Sequence, residues 1–133
     1  MEAMPDVGEL LEAVRGFLAE ARDELGGHRA FHALVAANVV DIARRELELA
    51  PAADAAEAAR LRTLLGREGE RAELNRALCD EIRTGRLGMD DAALLDHLER
   101  TTLDRLAIDQ PGYSGARIAA EDGAAGSRQT PPR

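Results

Sequence analysis

The chain has 133 residues, 45% of them hydrophobic but only 2% aromatic, so we expect one domain with a core of leucine, alanine, valine and isoleucine. The formal net charge of −8 argues against nucleic acid and anionic membrane surfaces as partners, and no run approaches the roughly 20 apolar residues that cross a bilayer. The single cysteine, Cys79, excludes an internal disulfide and no secretory signal opens the chain, so a cytoplasmic location is expected.

The first predicted helix begins at Asp6 and ends at Gly26. Asp6 and Glu9 have the spacing of a capping box, and Gly26 with Gly27 permits a left-handed turn at the other end. Between these points, apolar residues recur at helical spacing: Val7, Leu10, Leu11, Val14, Leu18, Ala21 and Leu25. We therefore expect one buried apolar face.

The second and third predicted helices are separated by Pro51. The second covers about 28–49 and ends there because proline forbids continuation. Its predicted inward residues are Phe31, Leu34, Val35, Val39 and Ile42. The third is short: Asp54 opens it in a second capping-box pattern with Glu57, and Gly66 ends it.

Two further helices are predicted over about 70–84 and about 90–108. Gly85 ends the first, and Pro111 restricts the chain after the second. Their predicted inward residues are Leu74, Leu78, Ile82, Leu94, Leu95, Leu98 and Leu106. Because no run shows the alternation of a half-buried strand and the connections are short, the sequence predicts an all-α protein, a small helical bundle of about five helices.

The composition changes after the last predicted helix. Glycine, alanine, serine and proline dominate 123–133, which offers too few large apolar groups to offset the entropy of ordering. We therefore predict a helical bundle domain over 5–110 and an extended, partly disordered C-terminal tail over 111–133.

No pattern typical of catalysis or metal binding is found. His28 and His32 are four residues apart on one side of a helix, but no further ligand motif accompanies them, so solvated or capping histidines are favoured. Cys79 lies beside Asp80 and Glu81, which disfavour a thiolate, so we expect a buried, inert thiol. We predict that the protein is not an enzyme and has no cofactor or metal.

Four polar residues interrupt the apolar stripes: Asn38, Asn75, Thr102 and Arg105. In one interpretation, the asparagines fix the helix register, meeting across the core, and Arg105 pairs with Glu46 or another carboxylate. In the other, the four residues line a polar recess that holds an anionic group, or they face a partner protein. The sequence leaves both open.

The segment 107–117, AIDQPGYSGAR, contains the only tyrosine, Tyr113, between proline and glycine residues. Tyr113 could fold back as a plug over the bundle, because tyrosine buries a large apolar body and keeps one polar tip in water. Alternatively, the segment is a docking strip with Tyr113 and Arg117 as anchors for a partner.

Several phrases resemble, in the same order, a bacterial domain-of-unknown-function family: PDVGELLEAVRGFL, FHALVAANVVDIARREL, ARLRTLLG, LNRALCDEIRTG and TTLDRLAIDQPGYSG. The resemblance extends from Pro5 to Arg117. Members of that family are small helical proteins commonly encoded beside an aminoglycoside-phosphotransferase-like kinase and an acyl-CoA dehydrogenase. The resemblance thus implies a shared pathway in which the kinase phosphorylates a hydroxyacyl-CoA and the dehydrogenase-like protein processes the product, but it carries no catalytic residues across.

This context implies a noncatalytic accessory subunit that stabilises or completes the kinase in acyl-CoA catabolism, with the acyl-CoA dehydrogenase as a second candidate partner. The candidate partner-binding residues are polar positions on apolar stripes and anchors in the tail: Asn38, Asn75, Arg105, Tyr113 and Arg117. The alternative is a small-molecule binding bundle that holds acyl-CoA between its helices, which would require lysine or arginine side chains around the phosphates.

Overall fold

The computed structural model describes residues 3–126, which form five α-helices. These are α1 (Val7–Glu24), α2 (Gly27–Leu65), α3 (Arg71–Arg83), α4 (Ala92–Asp109) and α5 (Ser114–Gly126). No strand occurs in this part of the chain, so the predicted all-α class with about five helices is confirmed. None of the described helices combines the length and the apolar character needed to cross a membrane.

Two of the predicted helix starts are present as capping interactions. Asp6 accepts a hydrogen bond from the Glu9 backbone N–H at 2.8 Å, and the Glu9 carboxylate accepts one from the Asp6 N–H at 2.9 Å. At the start of α4, the Asp91 carboxylate accepts a hydrogen bond from the Leu94 N–H at 2.9 Å. These contacts satisfy N–H groups that a helix leaves free at its first turn.

Helix α2 continues through Pro51, so the prediction of two separate helices over 28–49 and from Asp54 was wrong. Proline removes one backbone hydrogen bond and disfavours a helix interior by about 3 kcal/mol relative to alanine. The sequence after it, AADAAEAAR, is rich in alanine, which has the highest helix propensity of the amino acids. The helix can therefore propagate on both sides of the missing bond.

Helix α5 occupies residues 114–126, where the composition predicted extended or disordered chain. The glycine content was weighted too heavily, because the alanines between the glycines favour helix. Residues 127–133, the rest of the predicted tail, lie outside the described residues.

The backbone contacts divide the chain into two compact units, with the division between Ala52 and Ala53, directly after Pro51. Unit 1 contains α1 and the first part of α2; unit 2 contains the rest of α2 with α3, α4 and α5. The sequence predicted a single domain over 5–110. A division inside a helix has no change of composition that would reveal it in the sequence.

Unit 2 has a leucine core. Leu61 from α2 and Leu74 from α3 are fully buried, and Leu78 and Leu94 complete the cluster. The partly buried side chains packed against it are Leu64, Leu65 and Leu87. The predicted inward positions Leu74, Leu78 and Leu94 are thus confirmed, whereas Ile82, Leu95 and Leu98 are exposed.

The described residues of unit 1 form no comparable core. No residue of α1 is buried, and the buried residues of α2 in this unit are Ala33 and Ala37. The two helices are joined at the surface by Arg15, which donates to Asp41 at 3.3 Å, and by Arg44, which lies 3.8 Å from Glu12. The predicted burial of the larger apolar residues in this unit was therefore wrong for several of them, described below.

Candidate functional site

A buried carboxylate joins α2 to α3 in unit 2. Glu57 is only 9% exposed, and each of its oxygens accepts a hydrogen bond. Arg71 Nη1 donates to Oε2 at 3.0 Å, and Asn75 Nδ2 donates to Oε1 at 2.9 Å. Arg71 also lies 3.5 Å from Asp54, one turn earlier on α2. These contacts from Arg71 and Asn75 therefore hold α3 in place against this part of α2.

The charge of Glu57 is maintained by these partners. Burial acts to raise the pKa of Glu57, but the hydrogen bonds from Asn75 and Arg71, with the positive charge of Arg71, outweigh it. The pKa therefore lies below the ordinary value for a glutamic acid. Glu57 is accordingly a carboxylate at neutral pH and not a proton donor.

A second polar group joins α2 to α4. His97 is 3% exposed, and its Nδ1 accepts a hydrogen bond from Arg60 Nε at 3.3 Å. Arg60 Nη2 donates to Thr101 Oγ1 at 3.1 Å and lies 4.0 Å from the Asp104 carboxylate. Because arginine can only donate, His97 Nδ1 must carry the lone pair, and the ring proton is on Nε2.

The pKa of His97 lies below its ordinary value because of burial and the positive charge of Arg60. His97 is thus a neutral imidazole at neutral pH, with one nitrogen accepting and the other donating.

A cavity of about 530 Å³ lies beside this second group, between α2 and α4. Its walls include the apolar side chains of Leu64 and Ala93. Its polar lining residues include Arg60, His97, Asp91 and Asp96. The lining therefore combines one cation, a neutral histidine and two carboxylates, and it is not a basic pocket.

The four polar residues that the sequence singled out have different environments in the structure. Asn38 is exposed on α2 in unit 1, whereas Asn75 is partly buried in unit 2 and bound to Glu57. The predicted position of Asn38 in a buried stripe was wrong. Thr102 is exposed and donates to the Leu98 carbonyl at 2.8 Å, and Arg105 donates to Asp109 at 3.0 Å. Of the four, Asn75 fixes the packing between helices, as the first interpretation expected of the asparagines.

Tyr113 lies directly before α5 and is half exposed. Its ring rests on Gly115, where an added Cβ would come within 2.5 Å of Tyr113 Cε1, so no larger residue fits without displacing the ring. Tyr113 also lines a groove of about 330 Å³ with Leu98, Leu106 and other residues. It thus partly covers an apolar groove, as a plug would, while part of its surface stays accessible. Arg117 is exposed on α5.

The sequence analysis missed the residues that form the two polar groups. It treated Glu57 only as a capping residue and did not consider Arg60, Arg71 or His97. A signal was present for His97, which follows the buried Leu94 by three residues and hence lies on the same helical face. The predicted burial of Cys79 was also wrong, because this thiol is exposed.

Neither histidine of the predicted pair lies in a metal site. His28 and His32 are exposed, and within residues 3–126 no group of three histidine, cysteine, aspartate or glutamate side chains could hold a metal ion.

Unit 1 presents two rows of exposed apolar side chains. The α1 stripe consists of Leu10, Val14 and Phe17, and the α2 stripe consists of Phe31, Val35 and Val39. Within each stripe the residues lie three or four positions apart, so they share one face of their helix. Phe17 is 68% exposed and Phe31 is 61% exposed. Single exposed apolar residues are ordinary on protein surfaces, but rows of this kind are typical of interaction surfaces.

The model of the family described as "Domain of unknown function (DUF6285)" matches residues 23–113. The chain belongs to this family. The DUF6285 region includes all of α2, α3 and α4, and with them the Glu57 and His97 groups, the cavity and the α2 stripe. The α1 stripe lies before it. Comparison with curated proteins and with solved structures found no match.

Proposed function

We propose that this DUF6285 protein is a noncatalytic accessory subunit that docks on a protein partner through the apolar stripes of unit 1. The observation that supports this proposal is the exposure of both phenylalanines in a unit whose buried side chains are alanines. A unit of about 50 residues buries little apolar surface and gains only marginal stability from its own core. A partner on the stripes would supply further contacts.

The stripes contain enough apolar surface for specific binding only if most of it is covered. Burying a large apolar side chain completely contributes about 1.5–3 kcal/mol, so covering six half-exposed ones contributes roughly 5–9 kcal/mol. The loss of translational and rotational freedom on association costs about 4–15 kcal/mol. The two values are comparable, and we therefore expect Phe17 and Phe31, the largest exposed side chains of the stripes, to dominate the affinity.

The resemblance described above favours a phosphotransferase-like kinase acting on hydroxyacyl-CoA as the partner, with an acyl-CoA dehydrogenase as a second candidate. The net charge of −8 would complement a basic surface on such a partner. Among the predicted contact residues, Asn38 adjoins Val39 of the α2 stripe, and Arg105, Tyr113 and Arg117 are accessible on unit 2. Asn75 is the weakest candidate because Glu57 already engages its amide.

The alternative function, binding of acyl-CoA between the helices, has less support. Coenzyme A carries several phosphate charges, which require a cluster of cations. The cavity offers Arg60 as its cation, together with Asp91 and Asp96, and His97 beside it is neutral. This electrostatic environment disfavours a polyanion.

The test is coexpression with the kinase-like neighbour, followed by size exclusion and a kinase assay on a hydroxyacyl-CoA with and without this chain. We expect a complex whose activity depends on the chain. Failure of the two wild-type proteins to form any complex would reject the accessory role.

Variants locate the contact. Phe17→Ser combined with Phe31→Ser should abolish the complex while leaving the helical circular dichroism unchanged. Met89→Ser is the matched control, because Met89 is 88% exposed in the loop before α4 and lies outside both stripes. If the double variant still binds like the control, the stripes are not the docking surface. Tyr113→Ala with Arg117→Ala separately tests the predicted tail anchor.

A further inference from the structure

We propose that the cavity between α2 and α4 in unit 2 binds a small molecule that carries one carboxylate group on a short apolar body. All its lining residues belong to unit 2, whereas the proposed docking surface belongs to unit 1. Ligand binding in this cavity needs no partner protein. Three features support this site: two side chains with unused hydrogen-bond donors, neighbouring carboxylates that are already partly compensated, and a cavity of suitable size.

Arg60 has donors to spare and a weak charge partner. A guanidinium has five N–H donors, and the described residues accept one from Nε and one from Nη2. Within residues 3–126, no acceptor engages Nη1. Its nearest described carboxylate is that of Asp104, which lies 4.0 Å from Nη2. The Arg60 side chain is only 21% exposed. A largely buried cation with so distant a counterion favours an additional anion.

His97 supplies a second donor. Its Nδ1 is occupied by Arg60, so the proton is on Nε2, which has no acceptor among the described residues. Among the described residues, the buried side-chain polar atom without a hydrogen bond is Arg62 Nε, which lies 3.4 Å from the Glu68 carboxylate. His97 Nε2, which also makes no hydrogen bond, is therefore not sealed from solvent. His97 is 3% exposed and lines the cavity, so its ring forms part of the wall of the proposed site. A carboxylate with two oxygens can accept from Arg60 and His97 together.

The two aspartates of the lining, Asp91 and Asp96, disfavour a ligand with several negative charges but do not exclude one with a single negative charge. The Asp91 carboxylate accepts from the Leu94 N–H at the start of α4, where the helix dipole stabilises negative charge. The Asp96 carboxylate is paired with Arg100 at 3.0 Å. Both charges are therefore partly compensated before any ligand binds. A ligand with several negative charges would still be repelled by them.

The cavity also fits an apolar body. Its volume of about 530 Å³ lies within the range of small-molecule sites, and Ala59, Leu64 and Ala93 form apolar parts of the wall. An alkyl chain against these side chains would add hydrophobic stabilisation with each CH₂ group that it buries. Short-chain carboxylates therefore match both parts of the site.

Hexanoate is a suitable probe, with hexanol as the neutral control of the same length. Titration followed by amide NMR should show saturable shifts for residues around Arg60 and His97 with hexanoate. Hexanol should bind at least about tenfold more weakly, because a charge-assisted contact worth about 1.4 kcal/mol or more is lost. Equal affinity for the two probes, or no saturable shift with hexanoate, would overturn the proposal.

Two variants separate binding from folding. Arg60→Gln should weaken hexanoate binding about tenfold or more, whereas Arg83→Gln, which removes an exposed cation paired with Asp80, should leave it unchanged. If Arg60→Gln fails to fold, Thr63→Phe tests the same site, because Thr63 is exposed, lines the cavity, and its hydroxyl donates to the Ala59 carbonyl within α2. Its ring should block the probe. Hexanoate binding that survives both Arg60→Gln and Thr63→Phe would contradict the proposed location. The titration needs no partner protein, so its result does not depend on the proposed docking.

Discussion

Replacing Asn75 by alanine tests whether the Glu57 group holds α3 against α2. The change removes the amide that donates to Glu57 Oε1 at 2.9 Å and leaves a carboxylate that is 9% exposed with Arg71 as its remaining partner in the group. Losing a hydrogen bond to a charged group costs about 1.5–3 kcal/mol. Because Asn75 is only partly buried and water can replace part of the bond, we expect the free energy of unfolding to fall by about 1.5–2 kcal/mol at neutral pH.

The pH dependence of this loss identifies its cause. The pKa of folded Glu57 lies below 4.5, its ordinary value, so its carboxylate contributes stability that is present above that value and is lost as pH falls through the folded pKa. The Asn75 bond is one of the interactions that lower this pKa. Asn75→Ala should therefore raise the pKa of Glu57, and the variant's deficit should be larger at about pH 7 than at about pH 3.

Urea unfolding followed by far-ultraviolet circular dichroism is the appropriate assay, because the chain has no tryptophan and a single tyrosine. Arg83→Ala is the control: it breaks an exposed ion pair with Asp80 and should change the free energy of unfolding by no more than about 0.5 kcal/mol. A loss for Asn75→Ala no larger than that of the control would refute the argument. So would a loss of equal size at both pH values.

Three further predictions use the same unfolding assay. Leu61→Ala should lower the free energy of unfolding by about 2–5 kcal/mol, because Leu61 is fully buried and the substitution leaves a cavity; a loss below about 1 kcal/mol would contradict the core assignment. Pro51→Ala should raise it by about 1–3 kcal/mol by restoring a backbone donor inside α2, and a decrease would argue against a continuous helix. The pKa of folded His97 lies below 6.5, so its neutral form contributes stability that is present above about pH 6.5 and is lost as pH falls through the folded pKa. His97→Gln should therefore reduce the dependence of the free energy of unfolding on pH in this range. An unchanged pH dependence would contradict the prediction.

The local signals in the sequence predicted the structure well where one residue decides the outcome. The capping box at Asp6 and Glu9 is present, and leucines at helical spacing form the core of unit 2. Both features depend on contacts within one helix turn or on a large side chain with few alternatives to burial.

Prediction failed where several weak preferences compete. Pro51 disfavours helix at one position, but the alanines on its C-terminal side favour helix over many positions, and their sum prevails. The Glu57 and His97 groups were missed for a different reason. A buried charge can be inferred only when its partners are known, and Arg71 is 14 residues from Glu57 while Arg60 is 37 residues from His97.

The exposed stripes of unit 1 show that helical spacing of apolar residues does not by itself identify the buried face of a helix. The sequence analysis assumed that the largest apolar residues face the neighbouring helix, but in this unit the buried positions of α2 are Ala33 and Ala37. Small side chains allow two backbones to approach closely, and residues elsewhere on the same helix then point away from the contact. Phe17 and Phe31, by contrast, stay at the surface. Apolar residues on a helix thus predict that some face will be covered, but in unit 1 the side chains buried on α2 are alanines and both phenylalanines remain exposed.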